Sequence, residues 1–139
     1  HMKASLATLS PAARDNEDFF IGDMIPTCIN DDVEAAKAVN RKTLTSYAML
    51  PNYRNYWKEA GYEEEMTAIE RAVEAKEFDK VPTLLSDKWL ADTTLFGSAS
   101  AVREGVEAWF DAGVRTPILV PSSANGGQMK AFEEMLAIF

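Results

Sequence analysis

The stretch TTLFGSASAVREGVEAWFDAGVRTPILVPSS, residues 93–123, decides the fold of this chain. It predicts a short strand over 93–96 that stops on Gly97-Ser98, an amphipathic helix over 101–112 that ends at Gly113, and a second buried strand over 116–120. Strand, helix and strand in this order form one parallel crossover. Parallel α/β folds carry their chemistry at the carboxyl ends of the strands, so we expect any site at that edge.

Outside this stretch, the sequence predicts one earlier strand and a block of helices. Residues 19–29 read as a strand with a possible bulge at Gly22 or Pro26, and helices are predicted over 33–49, 52–60, 63–75 and 82–90 and again at 129–138. In the last helix we expect four side chains to face inward: Met129, Phe132, Met135 and Leu136. The fold class is therefore α/β, a partial β/α barrel of about three parallel strands with an inserted helical block, in the order β-α-α-α-α-β-α-β-α.

Composition and charge exclude several classes of function. The chain has 139 residues and a formal net charge of −8, with lysine and arginine scattered among acids, which argues against nucleic-acid and anionic-membrane partners. No apolar run approaches the roughly 20 residues of a membrane helix. Cys28 is the single cysteine, which favours a reducing, cytoplasmic setting.

The first residues suggest a division of the chain. His1-Met2 has the look of a cloning remnant, so we interpret residues 1–18 as tag remnant and lead-in, and residues 19–139 as one partial β/α barrel domain. Three strands are few for a parallel sheet, whose open edges would be unsatisfied. We therefore expect either a homo-oligomer or a missing barrel half as partner.

Three motifs in order resemble a known family. The first is Asn30-Asp31-Asp32, followed by a helix and by LPNYRNYW (50–57). The second is Phe96-Gly97-Ser98 with a helix that ends in Asp-Ala-Gly (111–113), and the third is Ile-Leu-Val-Pro (118–121). In this order they are similar to the carboxyl-terminal third of the luciferase-like (bacterial luciferase family) flavin-dependent oxidoreductases. The resemblance covers roughly residues 19–139.

This resemblance implies a β/α barrel that binds FMN or a deazaflavin and oxygenates, or transfers hydride to or from, small organic substrates. It also implies that the chain corresponds to the last three strands of the barrel and that the isolated chain is inactive. The alternative, from another class, is a non-catalytic βα module that self-associates through its open sheet edges.

The candidate cofactor-binding residues are small and polar: Gly97, Ser98, Ser100 and Ser122. Backbone N–H groups at a helix start attract phosphate, and glycine allows a close approach. Seryl hydroxyls add donors, and the loop after the last strand would wrap a phosphate or ribityl chain. The competing interpretation is that Ser98 only caps its helix and that the loop around Ser122 is plain solvent-facing chain.

The candidate substrate-binding residues are aromatic: Tyr53, Tyr56 and Trp57. They would line a pocket or stack on a ring, whereas the competing interpretation is core or interface packing. No catalytic residue is assigned, because Cys28 has no histidine partner apart from the tag-like His1. No spacing of acids supports a metal site.

Overall fold

The strand Gly22–Ile29, β1, lies at the centre of a three-stranded parallel sheet in the computed structural model, which describes residues 2–139. It is flanked by β2 (Leu95–Gly97) and β3 (Thr116–Ser122). The predicted fold class, α/β with an open parallel sheet as in a partial β/α barrel, is confirmed.

Helices make up most of the remainder. In chain order they are α1 (Met2–Ala7), α2 (Pro11–Arg14), α3 (Val33–Ala48), α4 (Pro51–Trp57), α5 (Glu63–Glu74), α6 (Val81–Leu84), α7 (Asp87–Thr93), α8 (Ala99–Asp111) and α9 (Gln128–Leu136). A π-helical turn, Lys58–Tyr62, joins α4 to α5, and Gly61 kinks the chain there with a φ of 102°. A 3₁₀ turn, Phe78–Lys80, precedes α6.

The strand order is β2-β1-β3, so β2 and β3 are not neighbours although they follow one another along the chain. The crossover through α8 passes over β1. In the register, Gly97 lies beside Ile29, and Ser122 lies beside Cys28. The carboxyl ends of all three strands therefore meet at one edge, which is the edge where parallel α/β sheets bind ligands.

Prolines in the sheet fall where a missing N–H costs little. The Asn30 N–H donates to Gly97 O, and backbone nitrogens two residues apart on a strand point to the same side. The backbone nitrogen of Pro26 therefore faces β2, whose pairing with β1 begins one residue later at Thr27. The Thr116 N–H donates to Ile21 O, so Pro117 and Pro121 face the outer edge of β3. That edge lacks two backbone donors, which blunts it against strand pairing.

Helices cover the two faces of the sheet unequally. On one face α3 packs over β1 and β2, with Lys37 placed 6.0 Å from the centroid of the Phe96 ring. On the other face α8 buries Val102 and Val106 against Ile25 and Leu95. A second core lies in the helical block between β1 and β2, where Trp57 and Trp89 are buried.

Two boundaries and one predicted helix differ from the sequence prediction for local reasons. The first strand starts at Gly22 rather than 19, and Phe20 precedes it with an exposed side chain. Thr93 belongs to α7 instead of the next strand, because its hydroxyl and that of Thr94 donate to Trp89 O and Leu90 O at the helix end. The helix predicted over 82–90 is two helices, separated where the Ser86 hydroxyl caps α7.

The lead-in segment contains α1 and α2 and packs against the rest of the chain. The Arg115 guanidinium donates to the backbone oxygens of Arg14, Asn16 and Phe19 at 2.8–3.4 Å. A Cβ on Gly113 would lie 2.5 Å from the Leu6 side chain, so α1 packs closely on the turn after α8.

The orientation predicted for the last helix is wrong. Met129, Phe132 and Leu136 are exposed by 74%, 44% and 79%, whereas Ala131 is buried. The 3.6-residue period is present, but the small side of α9 lies against the sheet. This helix contacts the carboxyl edge: Gln128 Nε2 donates to Pro121 O, and Arg103 near the start of α8 donates to Ile138 O.

Candidate functional site

The turn from β2 into α8 forms the first part of the carboxyl edge. Gly97 is buried and has a φ of 114°, a left-handed conformation that favours glycine. Ser98 is the N-cap of α8: its Oγ accepts from the Ala101 N–H at 3.3 Å and lies 3.0 Å from Ser100 Oγ. The first N–H groups of α8, at Ala99 and Ser100, precede any intrahelical bond, so they can donate to an anion.

The end of β1 is tied to this turn. The Asn30 N–H donates to Gly97 O at 2.8 Å, and Asn30 Oδ1 accepts from the Asp32 N–H at 2.8 Å. Asp32 then caps α3 through Ala35 N–H. The loop after β1 is thus fixed beside Gly97 by backbone and side-chain hydrogen bonds.

Ser122 lies at the same edge as Gly97 but on the opposite outer strand. The two residues lie on the outer strands with β1 between them, and two strand spacings amount to about 10 Å. A single phosphate group is too small to touch both. The predicted cofactor-binding residues therefore form two groups, Gly97-Ser98-Ser100 and Ser122, which only an elongated ligand would span.

The loop after β3 folds over the end of β1. The Ala124 N–H bonds to the Cys28 thiol, whose pKa is raised chiefly by burial and further by the charge of Glu134. Asn125 Nδ2 donates to Glu134 Oε1 at 3.4 Å, while Glu134 Oε2 is buried and has no hydrogen-bond partner among residues 2–139. Cys28 is accordingly a neutral buried thiol.

Carboxylates dominate the charge near this edge. Asp31 and Asp32 follow β1 and are exposed. Lys37, on α3 above Phe96, forms ion pairs with Glu34 at 2.8 Å and Asp87 at 2.9 Å. The pKa of Lys37 is raised by its hydrogen bonds, first to Glu34 and then to Asp87, so its charge is already neutralised locally.

The aromatic residues predicted to bind substrate lie elsewhere. Trp57 is buried in the core of the helical block, with its ring 4.8 Å from that of Trp89 at 89°. The Tyr53 ring contacts Tyr47 edge-on, with centroids 5.0 Å apart, and lies tilted against Trp57 at 5.7 Å. Tyr56 is the exposed member of the predicted three.

Tyr56 lies near the opposite end of the sheet. The pKa of Tyr56 is raised by burial and by the charge of Asp23, which places its hydroxyl near the start of β1. Burial also raises the pKa of Asp23 itself. Six residues of strand separate Asp23 from Ile29, or about 20 Å, so Tyr56 and Gly97 do not share a pocket.

The sequence analysis missed two residues that organise the structure, Asn40 and Glu134, and did not predict that Arg54, beside the candidate aromatic residues, would be buried. Asn40 occupies the apolar side of α3 together with Leu44, and its amide bonds to the backbone of β2. A lone amide in an apolar helical stripe was the available signal. Arg54 is 4% exposed and donates to Ala48 O at 3.0 Å. Glu134 had no signal, because its burial depends on how α9 is turned.

The surface carries two open clefts. One, of about 350 Å³, is lined by residues that include Lys3, Arg14 and Gly113, and the other, of about 450 Å³, by residues that include Arg41 and Asp87. None of the predicted site residues lines either cleft. Among residues 2–139, no helix has the length and apolar character to cross a membrane, and no cluster of three or more metal-ligating side chains occurs.

Comparison with known proteins gives one match. The family model for luciferase-like monooxygenases matches residues 1–116. The matched range includes α1 and α2 and ends at the first residue of β3, so the segment from Pro117 to the last residue lies outside it. No curated protein and no solved structure matches the chain with significance.

Proposed function

Because this chain belongs to the luciferase-like monooxygenase family, we propose that it is the carboxyl-terminal segment of a flavin-dependent oxidoreductase and supplies the phosphate end of the cofactor site. Bound FMN, or a deazaflavin relative, would supply the redox chemistry, reacting in its reduced form with oxygen or passing a hydride. The part of this chain is to hold and orient that cofactor and a small organic substrate.

The observation that carries the proposal is the turn of Gly97 and Ser98 into α8. Gly97 has no side chain to block an approaching anion, and the N-terminus of a 13-residue helix offers N–H donors with favourable dipole. The chemistry of this donor set fits a phosphate monoester. Asp31 and Asp32 oppose an anion at the neighbouring strand end, so we place the phosphate on the β2 side of the edge.

The residues at this edge do not by themselves surround a whole flavin. The aromatic side chains that would stack on a ring lie in the core or near the start of β1, and Ser122 is about 10 Å from Gly97. We therefore propose that the ring and substrate sides are completed by other strands, and that the isolated chain has little or no turnover. The substrate-binding role of Tyr53, Tyr56 and Trp57 stays a prediction.

A phosphate titration followed by amide NMR tests the site. We expect inorganic phosphate and FMN to shift the N–H signals of Ala99, Ser100 and Ala101, and riboflavin, which lacks the phosphate, to leave them in place. The start of α3 is the matched control, because Asp32 and Glu34 there repel anions. Shifts equal at both helix starts, or absent at α8, would contradict the phosphate site.

Turnover measurements test the second half of the proposal. With FMN, a reductant and an aldehyde substrate, the isolated chain is expected to show no activity above free flavin. Micromolar flavin binding together with measurable turnover by this chain alone would show that no further strands are required.

A further inference from the structure

The last helix has its apolar side turned to solvent. Its exposed apolar residues are spaced by three and four positions, so they form one stripe: Met129, Phe132 and Leu136, exposed by 74%, 44% and 79%. The side turned inward carries Ala131 and Glu134, and Glu134 Oε2 is buried with no hydrogen-bond partner among the described residues. Amphipathic helices normally pack the other way round, which marks α9 as a helix lacking a partner for its apolar face.

The sheet has an uncovered face that would suit such a helix. Met24 on β1 and Ile118 on β3 are direct partners in the register, on the same face as Cys28. Their side chains are exposed by 66% and 39%, because α3 covers that face over β1 and β2 only. Parallel sheets are normally covered on both faces, so this region also lacks a packing partner.

The exposed area of the chain is large for its mass. The accessible surface is 8298 Å² for 15.4 kDa. Folded monomers of this mass expose about 7,200 Å², so the chain exposes about 1,100 Å² more than expected. A standard protein interface buries about 800 Å² on each partner, which makes the excess sufficient for one stable interface.

The outer edge of β3 is poorly suited to pairing with a strand of another molecule. Pro117 and Pro121 remove two outward donors there, so another strand would find an incomplete ladder. The two unpartnered faces, in contrast, are both apolar and are complementary in kind, a helix and a sheet.

We propose that two copies of this chain pair reciprocally, with the apolar stripe of α9 in each copy packed on the sheet face around Met24 and Ile118 in the other. Each copy supplies both surfaces, so the contact closes as a two-fold dimer and does not propagate. Because each copy carries a net charge of −8, added salt should strengthen the association by screening repulsion.

Light scattering and sedimentation of the full chain test the dimer. We expect a mass of twice 15.4 kDa, and the substitutions Leu136→Glu and Met24→Glu should each weaken association by about tenfold or more, since each places a charge in the apolar contact. Phe110→Glu is the matched control: Phe110 is 45% exposed on α8 and belongs to neither surface. A monomer at the highest soluble concentration, or an equal effect of Phe110→Glu, would overturn the proposal.

Cysteine cross-linking tests the arrangement and does not depend on the charged variants folding. A mixture of Met24→Cys and Leu136→Cys chains should form a disulfide between unlike copies, whereas Phe110→Cys should form none with either. Native Cys28 is fully buried and gives little background. Cross-linking of Leu136→Cys with itself, and not with Met24→Cys, would instead show helix-to-helix pairing and overturn the reciprocal contact.

Discussion

The side-chain amide of Asn40 donates a hydrogen bond of 2.9 Å to the backbone oxygen of Leu95 and joins α3 to the start of β2. Both residues are buried, Asn40 completely. Asn40 Oδ1 has no hydrogen-bond partner among residues 2–139, so the amide is held by this single bond. The contact fixes where the helical block returns to the sheet, at a strand that ends on Gly97.

Replacing Asn40 with alanine should destabilise the fold. Asn40→Ala removes the donor and leaves space in a packed region, and we expect the free energy of unfolding to fall by about 1–3 kcal/mol. Urea denaturation followed by circular dichroism measures it. Asn55→Ala, at an exposed position of α4, should change stability by less than about 0.5 kcal/mol. Similar losses in the two variants would show that the Asn40 bond has no special weight.

Gly97→Ala should destabilise the turn at the carboxyl edge through its backbone. A Cβ there would meet Ala101 Cβ at 3.4 Å, an ordinary contact, so the cost comes from the φ of 114° and amounts to about 1–3 kcal/mol. Gly127→Ala is the matched control, since its φ is −84° and no atom lies within 4 Å of the added Cβ. Thermal unfolding of both variants checks this, and an unchanged melting temperature for Gly97→Ala would contradict it.

Much of the architecture was predictable because it follows from local patterns. The helix at 99–111 has a clear period and a serine cap, and it forms close to the predicted position. The strand at 116–122 also forms where predicted, but none of its residues is fully buried, so its predicted burial was wrong. Strand order was not predictable, since nothing within a strand records its neighbours. The orientation of α9 was also predicted wrongly: its apolar stripe predicts burial, but in this structure Met129, Phe132 and Leu136 face solvent and Ala131 is buried.

The candidate site was predictable in part for a similar reason. Ser98 and Ser122 were placed at one edge because parallel strands share their carboxyl ends, and both lie there. Their separation of about 10 Å depends on β1 lying between them, which is tertiary information. The aromatic residues could not be placed, because spacing on a helix says which side chains align but not what they face.

Trp57 should contribute to stability through packing. Its ring lies edge-on to Trp89 in the core of the helical block, and Trp57→Ala should lower the free energy of unfolding by about 3–5 kcal/mol. Tyr56→Ala, next along the same helix and half exposed, should cost much less. Tryptophan fluorescence and urea denaturation measure both. A Trp57→Ala variant as stable as Tyr56→Ala would mean that the ring is free to serve another role.

Asp87 should make stability depend on pH in the acid range. Asp87 on α7 pairs with Lys37 and Arg41 on α3, and the hydrogen bond from Lys37 is the main reason that its pKa lies below the ordinary 3.8. Above pH 3.8 the carboxylate is ionised in both folded and unfolded chains, so the stabilisation is fully present. As pH falls below 3.8 the unfolded chain takes up a proton first, and the stabilisation is lost as pH passes through the folded pKa.

The stabilities of the matched variants Asp87→Asn and Asp23→Asn, each compared with the native chain, should therefore depend on pH in opposite ways. The advantage of the native chain over Asp87→Asn should shrink as pH falls below 3.8. Burial raises the pKa of Asp23 above 3.8, so the unfolded chain releases its proton first as pH rises. The free energy of unfolding of the native chain should therefore fall relative to that of Asp23→Asn as pH rises from 3.8 to the folded pKa. Urea denaturation across pH 2–7 measures both differences. Curves that stay parallel to the native one would show that neither carboxyl changes its proton affinity on folding.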